Sequence, residues 1–335
     1  VTYQHMGTYG FLTDYIHLYF LVGILLGYLY FRRRQISVGG SLAVGYLASA
    51  LYMVTNVAVT VAVSLIGYVI IRFVVLKLFL PRPRQIFAIG LAVGVICGGL
   101  WLIAAHMIFP DAMETHGLAL IGVIVPGMLC NSFIKQGLGR TLVPLAVMIP
   151  LSAALGLALT LLTSTVLPWS LATTIFTPEA EPLPLLFGMS AASVLFAVLI
   201  QEGTVTGLKL RTCGYVTAGM VVVGATNAAT LVVLALAAVL LAAVYVPYSR
   251  VVPLFGKDRF VVLSLVSFVV VTLLELVAAS VFGVRLGGPQ NVVFCVLPAI
   301  IVNDVVQYGL RRTATGFGLS AAGCAAIATP VLMLT

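Results

Sequence analysis

Apolar positions along this chain come in long blocks rather than in alternation, and short polar clusters punctuate the blocks. The uninterrupted runs are Tyr15–Phe31, Val54–Leu76, Ile86–Ile108, Leu142–Ser164, Leu185–Leu199, Ala229–Val246, Phe260–Val281 and Gly316–Leu334. Each is close to the ~20 residues that cross a bilayer as a helix. Between them lie shorter runs broken by glycine or proline: Ile36–Leu51, Leu118–Ile134, Thr212–Thr226 and Asn291–Val306. Counting both kinds predicts an all-α integral membrane protein of about twelve transmembrane segments.

Composition agrees with this pattern. Of 335 residues, 62% are apolar and 8% charged, with mean hydropathy +1.20. A water-soluble fold of this size could not bury so much hydrocarbon. That excludes a soluble enzyme, a secreted disulfide scaffold and a nucleic-acid-binding domain. Cys97, Cys130, Cys213, Cys295 and Cys324 form no C-x-x-C pair and read as small packing residues. The start of the chain lacks a basic region before its first apolar run, which ends in Arg32–Arg34, so an anchor rather than a cleaved signal is expected.

The net charge of +8 is assigned by position. With twelve crossings and the N-terminus outside, the inner loops take Arg32–Arg34, Lys77, Arg82, Arg84, Lys135, Arg140, Lys209, Arg211, Arg250, Lys257, Arg259, Arg311 and Arg312, with Arg72 near the inner end of its span. Asp14, Asp111, Glu114, Glu179 and Glu181 fall outside, with Arg285 as the one basic residue there. The Lys/Arg bias sets this orientation, with both termini outside.

The chain also repeats itself. The segment Pro126 to Thr141 aligns without gaps on Pro298 to Thr313 with six of sixteen positions identical, and Gly40 and Gly45 match Gly214 and Gly219. Two repeats are expected, at 1–166 and 185–335, joined by an outer loop at 167–184. Six crossings each make the repeats parallel. A fainter echo of Pro126-Gly127-Met128-Leu129 in Val44-Gly45-Tyr46-Leu47 suggests an inverted repeat inside the unit.

Candidate chemistry collects on the repeated motif. Pro126 and Pro298 are expected to break a span and open a half-helix whose amides face the membrane core, an arrangement that holds carboxylates in transporters. Asn131 and Asn303 follow one turn later and are costly in lipid unless paired. Lys135, Gln136, Gly137 and Arg140, with Gln307, Gly309 and Arg312, sit where these half-helices reach the inner face. They read either as ordinary inner-loop charge or as a cationic vestibule for an anionic chain. Glu202, Asp304 and Glu275 lie within or at the ends of spans. Glu202 is expected near Lys209 and Asp304 near Arg311 or Arg312, while Glu275 has no evident partner. His106 reads as interfacial. No P-loop, metal-ligand cluster or nucleophile elbow occurs, so no cofactor is expected.

The stretch Gly117 to Leu138, with its Val-Pro126-Gly127, Asn131 and Lys135-Gln136-Gly137-Leu138, resembles the PgsC/CapC family. Arg82-Pro-Arg84-Gln-Ile-Phe87 resembles the family's basic loop, and Gly45-Tyr46-Leu47 its earlier Pro-Gly-Tyr-Leu with Val44 in place of proline. The second copy departs from the motif at Ala299, Gln307 and Tyr308. The resemblance implies the membrane subunit of a poly-γ-glutamate synthesis and capsule export complex, present as a tandem duplication. It also implies an ATP-dependent Mur-ligase-like partner docked on the inner basic loops (Arg82, Arg84, Lys257, Arg259), further small membrane or extracellular subunits, and contact with the polymer. On that reading the chain is an accessory subunit rather than a catalyst alone. The alternative from the residues is a secondary transporter for a small organic anion.

Overall fold

A computed structural model describes residues 9–78, 81, 83–108, 123–166, 170–177, 183–202, 210–225, 227–287 and 291–334. Almost all of them are helical. In chain order the helices are α1 (Tyr9–Arg34), α2 (Ala43–Ser49), α3 (Val54–Leu78, with a π-helical turn at Ile71–Val75), α4 (Pro83–Ile108), α5 (Ile124–Gln136), α6 (Leu138–Thr165), α7 (Leu171–Ile175), α8 (Leu183–Glu202), α9 (Thr217–Gly224), α10 (Ala228–Val251), α11 (Gly256–Phe282), α12 (Asn291–Tyr308) and α13 (Leu310–Leu334). Two-residue strands at Phe176–Thr177 and Leu286–Gly287 pair in parallel. Among the described residues seven helices are long and apolar enough to span a membrane, and α12 adds a shorter apolar one. The protein is therefore a multi-pass, all-α membrane protein.

The chain divides into two compact units. The first is Tyr15–Leu162, and the second is Thr163–Thr335 together with the chain up to Asp14. In the second unit the Ala172 N–H donates to the Asp14 carboxylate at 3.1 Å.

The short apolar runs become segments of a different kind from the long ones. Helix α2 has 7 residues and α9 has 8, so each rises only ~10–12 Å of the ~30 Å hydrocarbon thickness. Irregular backbone leads into each of them, at 35–42 and 210–216. In the first unit Val44 lies against Gly27, Gly45 against Phe20 and Ile24, and the Tyr52 ring meets Tyr15 edge-on with centroids 6.1 Å apart. Helix α2 and the residues after it thus run antiparallel to α1 from Gly27 to Tyr15, while the irregular lead 35–42 packs on α5. The apolar run Ile36–Leu51, expected as a crossing, holds only the short helix α2. In the second unit the lead 210–216 plus α9 runs beside α8 in the same way, with Gly219 at Met189 and Ser193 and the Ser193 hydroxyl donating to Tyr215 O at 3.0 Å. Irregular backbone survives at such depth only when protein surrounds it. Val38, Leu42, Leu210, Thr212 and Cys213 are correspondingly buried.

Glycine sets how closely these pieces approach. A Cβ on Gly23 would sit 2.5 Å from Gly45 Cα, and one on Gly45 would sit 2.8 Å from Phe20 O. Helix α4 meets α5 by the same means, since a Cβ on Gly94 would lie 2.7 Å from Gly127 N and one on Gly127 would lie 2.6 Å from Leu91 Cα. Small residues let helix backbones come together where hydrophobic burial gives no drive between helices in lipid. The cysteines join this packing. Cys130 donates to Ser64 O at 3.1 Å, and all but Cys97 are buried.

The expected break at the two prolines holds in one unit and fails in the other. Helix α5 begins at Ile124, which places Pro126 in its first turn, where a missing N–H costs no intrahelical bond. Helix α12 instead begins at Asn291 and continues straight through Pro298. Both half-spans end alike, at Gly137 (φ 87°) and Gly309 (φ 89°), and the next long helix starts one residue later.

Candidate functional site

The end of the half-helix, the glycine hinge and the irregular lead converge in each unit. In the first, α5 brings Asn131, Ser132, Lys135 and Gln136 toward that end, and α6 opens with Arg140 and Thr141. The Ser37 N–H in the lead donates to Gln136 Oε1 at 3.1 Å, which ties the lead to the end of α5. Thr141, fully buried, donates to Gly137 O at 3.1 Å and approaches Ser132 O at 3.4 Å, locking the hinge. Gly39 (φ 73°) and Gly40 (φ 94°) turn the lead back over Leu129 and Met128, a conformation only glycine adopts without strain.

The second unit rebuilds this scaffold. Thr313, again fully buried, donates to Gly309 O at 2.8 Å and approaches Asp304 O at 3.5 Å. Cys213 (φ 55°) and Gly214 (φ 92°) supply the same turn, and Gly214 faces Ile300 as Gly40 faces Met128. The lead is tied down differently. Arg211, 6% exposed, stacks its guanidinium 3.9 Å from the Tyr308 ring centroid and donates to Gln201 Oε1 at 2.5 Å. Its N–H also reaches Arg312 O at 3.3 Å. Ser37 and Arg211 therefore hold equivalent positions, as do Gln136 and Tyr308.

The polar groups beyond the scaffold differ more. In the second unit Arg259 bridges two site residues, with Nε donating to Asn303 Oδ1 at 2.9 Å and Nη2 to Gln307 Oε1 at 2.8 Å. Asp304 accepts the Gly214 N–H at 3.0 Å. In the first unit Asn131 Oδ1 is buried without a hydrogen-bond partner, and Ser132 stands where Asp304 stands. Lys135 and Arg140 are exposed beside it.

Pro126 and Gly127 are buried against α4, and Pro298 is buried inside α12. Gly137 and Gly309 are the hinges, and Arg312 is exposed at the start of α13. Among the basic residues expected to meet a partner, Lys257 and Arg259 lie in the first turn of α11 and Arg84 in that of α4, while Arg82 and the Arg84 side chain lie outside the described residues. Lys209, expected near Glu202, also lies outside them. His106 is exposed at the end of α4, and Glu275 is buried in α11. Sequence reasoning missed Ser37 as a tie to Gln136 and Arg211 as its counterpart, and it took Gly40 and Gly214 only as repeat markers. A signal was present in both, because an extended lead ending in a left-handed glycine needs something to anchor it.

The family profile described as capsule biosynthesis CapC matches residues 22–142 and again 193–314. The chain is 28% identical over 130 residues to the PGA biosynthesis protein CapC of Bacillus subtilis (strain 168), covering 38% of this chain and 83% of that protein. It is 30% identical over 128 residues to the capsule biosynthesis protein CapC of Bacillus anthracis, again 38% of this chain and 83% of the relative. No solved structure matches.

Proposed function

The chain belongs to the capsule biosynthesis CapC family, with two copies of the family unit in tandem, and from that premise we propose that it is a membrane subunit of poly-γ-glutamate synthesis and export. Its inner basic loops dock an ATP-dependent, Mur-ligase-like amide ligase, and the first unit accepts and guides the anionic polymer. Both termini face outward in this arrangement, which puts Lys135 and Arg140 on the ligase side. A dehydrated carboxylate needs cations or N–H donors around it. The observation that carries the proposal is the exposed Lys135 and Arg140 at the inner end of a half-helix whose own polar groups are only partly satisfied.

The deciding experiment measures ATP-dependent incorporation of labelled glutamate into polymer by membranes carrying the ligase, with and without this chain. Incorporation that requires the chain is expected. Equal incorporation without it removes the synthase role.

The discontinuous crossings in matching positions also suit a secondary transporter for a small organic anion. Uptake of labelled glutamate by proteoliposomes holding this chain alone would favour that reading.

A further inference from the structure

The two units share a scaffold and differ in what fills it. In the second, an internal carboxylate (Asp304) takes the Gly214 N–H, and an internal N–H donor (Arg259) takes Asn303 Oδ1. In the first, both complementary positions lack an internal occupant. Among the described residues nothing meets the Gly40 N–H, and Asn131 Oδ1 is buried with no partner. The backbone that presents them is the same, since Gly40 and Gly214 adopt φ 94° and 92° and each faces the corresponding residue of the half-helix, Met128 or Ile300. A short Ser132 replaces Asp304, so the first unit has no carboxylate of its own at this position of the half-helix.

We infer that the first unit holds a subsite for an N-acylated amino acid chain at Gly40, Asn131 and Ser132, where the Gly40 N–H binds a carboxylate and Asn131 Oδ1 accepts an amide N–H. The second unit carries its own side chains in place of that ligand. A buried amide oxygen left without a donor is destabilising, and an arriving amide N–H would satisfy it. A γ-linked glutamate polymer offers an α-carboxylate and an amide N–H in every unit, and one unit or two neighbouring ones can supply the pair. Lys135 and Arg140, exposed beyond the subsite, then meet the carboxylates that follow. The inference rests on the polymer-guiding function proposed above and assigns it a site.

The test uses the full chain in lipid nanodiscs and a synthetic γ-linked glutamate decamer as probe. Wild-type protein is expected to bind one decamer and to prefer it at least 10-fold over the γ-linked glutamine analogue, which keeps the amides and loses the charge. Ser132→Asp places a carboxylate where the second unit already tolerates one, and is expected to weaken decamer binding at least 10-fold with an unchanged melting temperature. Asp304→Ser opens the second unit and is expected to add a second, weaker binding equivalent.

Equal binding of the two decamers overturns the inference. So does wild-type affinity in Ser132→Asp, or, where that variant does not fold, an unchanged stoichiometry in Asp304→Ser. Wild-type protein that binds no decamer overturns the subsite. The wider function then stands or falls separately, on whether glutamate incorporation by ligase membranes still requires the chain.

Discussion

The first and second units show what a duplicated membrane fold keeps and what it changes. Kept are the backbone devices: a discontinuous crossing beside the opening helix, a left-handed glycine turn, a glycine hinge after the half-helix, and a buried threonine that locks it. Changed are the polar side chains that use this frame. In the second unit Arg211 reaches Gln201, Asp304 accepts the Gly214 N–H and Arg259 donates to Asn303. The first keeps a buried acceptor without a donor and two exposed cations. Buried polar groups are normally paired, and the exceptions call for an explanation. Asn131 Oδ1 lacks a donor where Asn303 Oδ1 has Arg259, and the proposed subsite is one account of that difference.

The largest expected effect tests the shared frame. Gly45→Val and Gly219→Val each force a branched side chain into neighbouring backbone, Phe20 O at 2.8 Å in one case and Met189 O in the other. Overpacking costs about 1–3 kcal/mol, and backbone cannot step aside as a side chain can, so each variant is expected to lose about 3 kcal/mol. Gly99→Val, with nothing within 4 Å, is the control and should melt like wild type. If Gly45→Val melts unchanged and Gly219→Val does not, the two discontinuous crossings are not equivalent.

The next effect separates the two anchors of the lead. Arg211→Ala removes a buried cation from the Tyr308 ring and strands Gln201, which should cost about 2 kcal/mol. Ser37→Ala keeps the backbone N–H that reaches Gln136 and should stay within about 0.5 kcal/mol of wild type. Thermal melts of both variants in one detergent read the difference directly. Equal losses would mean that the Ser37 side chain anchors the first lead in its own right.

Hydropathy made the long helices legible, because a run such as Ala229–Val246 leaves no other solution in lipid. It also marked the short apolar runs Ile36–Leu51 and Thr212–Thr226, which hold α2 and α9. It could not tell that each run is only partly helical, since that depends on left-handed turns at Gly39-Gly40 and Cys213-Gly214 and on neighbours that bury them. Pro298 misled for a related reason. A proline disfavours helix interior by a few kcal/mol, yet packing in the bundle can outweigh that, and here α12 continues through it. The motif residues Asn131, Lys135, Gln136 and Arg140 do gather at one end of the first unit. Ser37, which ties to Gln136, lies 99 residues away from it, and no local pattern links the two.

A smaller effect is expected at the surface. The paired substitution Lys135→Ala, Arg140→Ala removes two exposed cations, each worth about 0.2–1 kcal/mol toward a bound anion. Polymer output from ligase membranes should fall roughly 2- to 10-fold, and the loss should shrink at high salt. Arg312→Ala in the second unit should leave output within about 2-fold. Equal losses from both would place substrate contacts in both units.

The smallest effect carries the sharpest contrast, because its sign should invert between the units. Asn303→Leu strands the Arg259 Nε donor and is expected to cost about 1 kcal/mol. Asn131→Leu removes an oxygen that already lacks a partner and substitutes apolar bulk, so it should leave stability unchanged or raise it by about 1 kcal/mol. The same variant should lower polymer output. A residue whose removal steadies the fold while harming the product is kept for what it binds. If Asn131→Leu and Asn303→Leu instead destabilise equally, both asparagines serve packing, and the difference between the two units is one of sequence alone.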